Sequence, residues 1–162
     1  MLKIRFQLGD FARIPKALQD FYDDIEDFRP FYKNHFIPRY LEDVNANFDT
    51  EGGMVGGWHD LSPEYAAWKR KRYGAKPLNH LTGALKRSFS PKGRGKLFKV
   101  SMEKKQLSIG TEVVYAPYVN RERRFLLKYN DLNKKEYMLL LSRWVLDLAK
   151  KAGLVKSGSG GR

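Results

Sequence analysis

One stretch constrains the fold more than any other. Across residues 133–151, Tyr137, Leu140, Leu141, Trp144, Val145 and Leu148 recur at i, i+3, i+4, i+7, i+8 and i+11, the spacing of a single stripe on an α-helix. Lys150 and Lys151 fall in the last turn, where cations suit the negative end of the helix dipole, and Gly153 supplies the stop. A helix this long and apolar on one side has to be covered. With no cysteine in the chain there is neither a disulfide nor a thiolate metal site to help, so the cover must come from packing alone. A chain of 162 residues suits one domain, able to bury about 70% of its unfolded surface.

Three other segments offer apolar faces. Ile4, Phe6 and Leu8 alternate with Lys3, Arg5 and Gln7, which predicts a half-buried strand closed by Gly9-Asp10. Between Arg13 and Asp27, Leu18, Phe21, Tyr22 and Ile25 recur at helical spacing and are expected to face inward, leaving the acids to solvent. Pro30 should separate this helix from a second one ending near Asn47. The stripe of that second helix is Phe36, Ile37, Tyr40, Leu41, Val44 and Phe48, and Pro38 should kink it or mark its true start. His35 has no ligand-type residue at a useful spacing and reads as a surface or core histidine.

Downstream, Phe98, Val100 and Met102 alternate with polar residues, Lys104-Lys105 turns the chain, and Leu107 to Gly110 returns it as a β-hairpin. Val113 to Val119 reads as a further extended piece, with Pro117 at a strand end or edge. The fold class is therefore α+β: a small antiparallel sheet packed by the long C-terminal helix, with the N-terminal helices alongside. One domain should span residues 1–155, followed by a flexible glycine- and serine-rich tail at 156–162.

The middle of the chain turns from loop to helix twice. Asp49 to Gly57 holds four glycines in nine positions, yet it lacks the spacing that cradles a phosphate and does not follow a strand as a dinucleotide loop would. Trp58 reads as the plug that fixes this loop to the core. Ser62-Pro63-Glu64 is a helix start: a hydroxyl to accept an orphan N–H, a proline preset for the first turn, and an acid at the positive end of the dipole. Leu61, an expected core anchor, then shares a face with Tyr65 and Trp68, for which core is the default as for other aromatics on helix stripes; Lys69 to Arg72 lie opposite, and Gly74 ends the helix. Leu81-Thr82-Gly83-Ala84-Leu85 repeats the design, with Thr82 as the expected cap and Leu81, Leu85 and Phe89 as anchors.

Charge adds a constraint on partners. Lys and Arg number 31 against 18 Asp and Glu, a formal net charge of +13 that favours polyanions or acidic protein faces. Acids concentrate early, at Asp20, Asp23, Asp24, Glu26, Asp27, Glu42 and Asp43, and bases later, at 69–72, 86–99 and 121–124. That asymmetry suits head-to-tail contact between copies as well as it suits DNA. No run approaches the roughly 18 apolar residues of a membrane span, and the alternating N-terminus does not read as a signal peptide, so a soluble intracellular product without membrane contact is expected. No residue set reads as catalytic, cofactor-binding or metal-ligating. A nuclease would need clustered carboxylates for a metal, and the acids here are scattered over solvent faces.

The order of these motifs resembles a known family. Phe48, the glycine loop, Trp58-x-x-Leu61-Ser62-Pro63, a lysine-rich helix, Leu81-Thr82-Gly83-x-Leu85-x-x-Ser88, a hairpin ending in Ile109-Gly110, Tyr115-Ala116-x-Tyr118 and Arg124-Phe125-Leu126 together look like the phage virion morphogenesis (tail completion) proteins, including the Mu-type and HK97-type neck and tail-completion proteins. The resemblance covers about residues 20–150. One segment departs from the pattern: where the family continues from Tyr-Ala into a His-x-[FY]-G-like stretch, this chain has Val119-Asn120-Arg121.

The resemblance implies a structural virion protein of the head–tail junction or tail end, assembled in the host cytoplasm. It would form a ring, hexamer or higher, and dock on other neck or tail proteins around the DNA. Subunit or neck contacts are then expected at Gly52, Gly53, Gly56, Lys69, Arg70 and Arg72, and DNA-facing positions at Lys92, Arg94, Lys96, Arg121 and Arg123. The competing expectation is a free-standing basic nucleic-acid-binding protein.

Overall fold

The computed structural model describes residues 16–78, 80, 82–90, 97–121 and 134–155. The strand expected at residues 3–8, the anchor Leu81, the basic residues Lys92, Arg94, Lys96 and Arg123, and the tail lie outside the described residues.

The fold is α+β. In chain order the elements are α1 (Lys16–Glu26), α2 (Arg29–Phe31), a π-helical turn (Tyr32–Phe36), α3 (Ile37–Asp49), a 3-10 turn (Gly53–Val55), α4 (Pro63–Tyr73), α5 (Ala84–Ser88), β1 (Phe98–Met102), β2 (Leu107–Thr111), α6 (Ala116–Arg121) and α7 (Lys134–Lys151). The strands pair antiparallel, with Phe98 opposite Thr111, Val100 opposite Ile109 and Met102 opposite Leu107. Their alternation turns Phe98, Val100, Leu107 and Ile109 toward the core.

Both prolines of the helical run stand where their missing N–H does least harm. Pro30 sits in the first turn of α2. Ahead of it, Asp27 accepts hydrogen bonds from the Arg29 backbone N–H (3.0 Å) and Nε (2.8 Å), and those bonds hold its carboxyl down to about 2. Pro38 opens α3, directly after the π turn, in which the Ile37 N–H reaches back to the Tyr32 carbonyl. The wider turn is how a helix passes a proline without breaking: the ladder shifts to i→i+5 just before the ring that cannot donate.

The core centres on α3. Ile37, Leu41, Val44 and Phe48 are buried there with Trp58, Leu85, Phe89, Val113, Ala116 and Tyr137. α7 serves two neighbourhoods along its stripe. Near its start Tyr137 joins the core that the hairpin also feeds, while further on Trp144 packs its ring 5.4 Å from both Phe28 and Phe31. The helix ends as its sequence requires, the Gly153 N–H bonding the Lys150 carbonyl and the Leu154 N–H that of Ala149, around a left-handed glycine.

Three expectations need correction. Leu18 and Tyr22 of α1 are 40% and 48% exposed, because α1 lies at an edge with α7 as its main neighbour. Val113 to Val119 is not extended: after Thr111 the chain turns into α6, with Pro117 in the helix's first turn. Among the described residues neither strand of the two-stranded sheet takes a further partner there, and a proline is as well placed at a helix start as at a strand edge. The cap of α5 is Gly83, left-handed at φ 74°, rather than Thr82, whose hydroxyl accepts only a long 3.4 Å bond from the Ala84 N–H. The Leu85 N–H is met instead by the Tyr115 hydroxyl at 3.2 Å.

Candidate interaction surface

The glycine stretch is a compact turn rather than an open loop. α3 ends with the Gly52 N–H on the Asn47 carbonyl (2.8 Å), which puts Glu51 in the left-handed position that glycine normally takes (φ 48°). Glu51 is held there from both ends: its carbonyl accepts the Trp58 N–H at 3.0 Å and its carboxylate the Leu78 N–H at 2.7 Å. Gly52 follows at φ 92°, and a side-chain carbon on it would stand 2.6 Å from the Trp58 backbone nitrogen. Trp58 itself is only 6% exposed and meets Phe48 edge-on at 5.4 Å, so the expected plug is in place. Gly52 is buried by it and offers no contact surface; Gly53 and Gly56 are exposed.

α4 exposes its aromatic residues and buries one residue of the basic run. Ser62 caps it as read, accepting from the Tyr65 N–H, and Gly74 ends it at φ 75°. The aromatic stripe, however, looks out: Tyr65 is 43% and Trp68 46% exposed, their rings stacked 5.2 Å apart, with Tyr73 edge-on to Trp68 at 5.7 Å. The buried residue of the helix is Lys69, 4% exposed, its ammonium donating to the Pro77 carbonyl at 2.6 Å. Lys69 therefore cannot belong to an exposed basic contact face. Arg70, Lys71 and Arg72 remain exposed, and Arg72 stands over the Tyr73 ring. Helical spacing places Arg72 four residues beyond Trp68 and Lys71 three beyond it, on the aromatic side, while Arg70 faces a shallow cleft of about 320 Å³ shared with Leu61 and Lys69.

A larger cleft of about 450 Å³ opens beside the glycine turn, lined by Phe48, Asp49, Thr50, Glu51, Pro77, His80 and Lys86. Its charged groups are occupied by the fold. Lys86 pairs with Asp49, and Glu51 holds Leu78. Burial, then the cations Lys86, Lys76, Lys69 and Arg87, keep the His80 imidazole below its ordinary 6.5, in the neutral form at pH 7. No nucleophile stands paired with a base there, and among the described residues no three His, Asp or Glu side chains converge to hold a metal ion.

A buried polar network was not legible in the sequence. Asp43, inward on α3, accepts from the Tyr137 hydroxyl at 2.7 Å and pairs with Arg39 Nε at 3.0 Å, and Arg39 also pairs with Glu136. It ties α3 to α7. Burial, followed by the bond to Asp43 and its charge, pushes the Tyr137 phenol well above its ordinary 10.0. The only signal that could have found Asp43 is its place beside Val44, one step round from an otherwise apolar stripe.

Opposite in charge to α4 is α1. Asp20 and Asp23 are exposed, Asp24 pairs with Lys151 at 2.9 Å, and Glu26 pairs with Lys105 at 3.4 Å. Asp20, Asp23 and Asp24 line a cleft of about 310 Å³ with Lys151 and Ala152. Of the expected DNA-facing residues, only Arg121 has a described backbone, as the last residue of α6.

Comparison of the chain with protein-family models, with curated proteins and with solved structures finds no match.

Proposed function

We propose that this chain is a structural phage virion protein of the head–tail junction or tail end, which forms a ring with copies of itself and docks on neighbouring virion proteins around the DNA. The observation that carries the reading is α4. A helix that buries a lysine and shows Tyr65 and Trp68 to solvent leaves apolar area uncovered in the free subunit, and Trp, Tyr and Arg are the residues that dominate protein interfaces. The acidic α1 and the basic α4 give one subunit two unlike, complementary faces, which a head-to-tail ring requires. The order of motifs from Phe48 to Leu126 supports the same reading by resemblance.

The test is sedimentation velocity of the purified protein, joined to a complementation assay with heads and tails from virions made without it. Closed oligomers that restore joined particles are expected. A strictly monomeric species that joins nothing overturns the proposal. The second reading, a free-standing basic nucleic-acid-binding protein, draws on the exposed Arg70, Lys71 and Arg72 beside aromatic rings. It predicts tight duplex binding that falls steeply with salt.

A further inference from the structure

If assembly is head-to-tail, the uncovered strip on α4 needs a particular counterpart. Two copies each carrying +13 repel except where acids are concentrated, and that restricts the counterpart to an acidic face. Among the described residues α1 is the element that fits. Its Asp24 and Glu26 are already paired with Lys151 and Lys105, whereas Asp20 and Asp23, which share a cleft with Lys151, are exposed and form no ion pair with another described residue. Tyr22, exposed beside Asp23 on the same helix, adds apolar area that the subunit does not cover.

On α4 the matching parts are Tyr65 and Trp68, flanked by Lys71 and Arg72. The Tyr65 and Trp68 rings stack on one another and Tyr73 closes the edge of Trp68, so the strip presents one broad apolar surface rather than a separate slot for a base. That favours a helix as the occupant over a nucleic acid.

We propose that α4 of one copy seats on α1 of the next, with Tyr65 and Trp68 covering Tyr22, and Lys71 and Arg72 meeting Asp23 beside it and Asp20 beyond. This rests on the ring reading and adds to it the contact by which the ring closes. Both faces are used once per subunit, so the same contact repeats around the ring without a dyad.

The experiment is a charge swap on the full chain, read by sedimentation equilibrium. The double variants Lys71→Glu/Arg72→Glu and Asp20→Lys/Asp23→Lys should each weaken association about tenfold or more, and the quadruple variant should return it to within about threefold of the parent. All seven positions of the contact are exposed side chains whose replacement leaves the core untouched, and thermal melting of each variant checks that the subunit still folds. Rings from the parent together with unchanged association of both doubles, or a folded quadruple that stays apart, overturn the contact while leaving the ring reading in place. A monomeric parent overturns both. Trp68→Ala separates the remaining occupant: assembly intact with loss of binding to a duplex DNA probe would assign the strip to nucleic acid and overturn the proposal.

Discussion

At residue scale the glycine turn shows how unequal neighbouring glycines are. Gly52→Ala combines a left-handed backbone, worth about 1–2 kcal/mol, with a carbon driven into the Trp58 backbone, worth about 1–3 kcal/mol more. Gly56 has φ 82° but nothing within 4 Å, so Gly56→Ala should lose only the first, about 1 kcal/mol. Urea midpoints at constant m-value measure the difference. Tyr137→Phe removes the donor to a buried carboxylate and should cost about 2 kcal/mol. It also carries a pH signature. Because the folded phenol titrates above its unfolded value of 10.0, its contribution is complete below pH 10 and is lost as the pH rises toward the folded value, where only the unfolded chain releases the proton. Stability of the parent should fall above pH 10, and the Phe variant should lack that part of the slope. The sequence made Trp58 legible, since a large aromatic after a run of glycines has few other uses. It did not show Asp43, because a carboxylate beside a helix stripe looks the same whether it meets solvent or a tyrosine more than ninety residues away.

At element scale, periodicity identified helices well and their orientation less well. The stripes of α3 and α7 were read correctly because each is apolar over several turns, so that only one burial satisfies the whole helix. α4 is short, and its apolar and basic residues differ too little to fix which side turns in. The outcome was decided by its flanks, Trp58 holding one end and the Lys69–Pro77 bond the other. The two tryptophans at either side of Ser62 therefore make an informative pair. Trp58→Ala should cost about 3–5 kcal/mol, as a large core truncation does. Trp68→Ala should change monomer stability by less than about 1 kcal/mol, the range of surface substitutions, and any larger effect would have to appear in association. Chemical denaturation of both variants at a concentration below assembly checks this. α6 escaped the sequence reading for a different reason: a proline beside β-branched and aromatic residues serves a strand edge or a helix start equally, and the choice lies in whether a partner strand exists.

At the scale of the whole molecule, the charge acts over two ranges. The +13 of each copy repels at long range, while the proposed α1–α4 contact attracts at short range. Salt removes the first before the second, since the Debye length is about 30 Å at 0.01 M, about 10 Å at 0.1 M and about 3 Å at 1 M. Association should therefore strengthen from about 0.01 to about 0.1 M salt and weaken toward about 1 M. Sedimentation equilibrium across that range tests it; a monotonic fall would mean that the short-range attraction is not what the two faces supply. The packing of α1 on α7 bears on when a subunit becomes competent. Asp24 and Lys151 are 127 residues apart in the chain, so α1 leaves the ribosome long before the helix that covers it. Its acidic face takes shape only once α7 has been made. A chain cut short before α7 would lose, with Tyr137 and Trp144, both part of the core and the cover of α1, so it should neither fold as the parent does nor poison a growing ring by capping it.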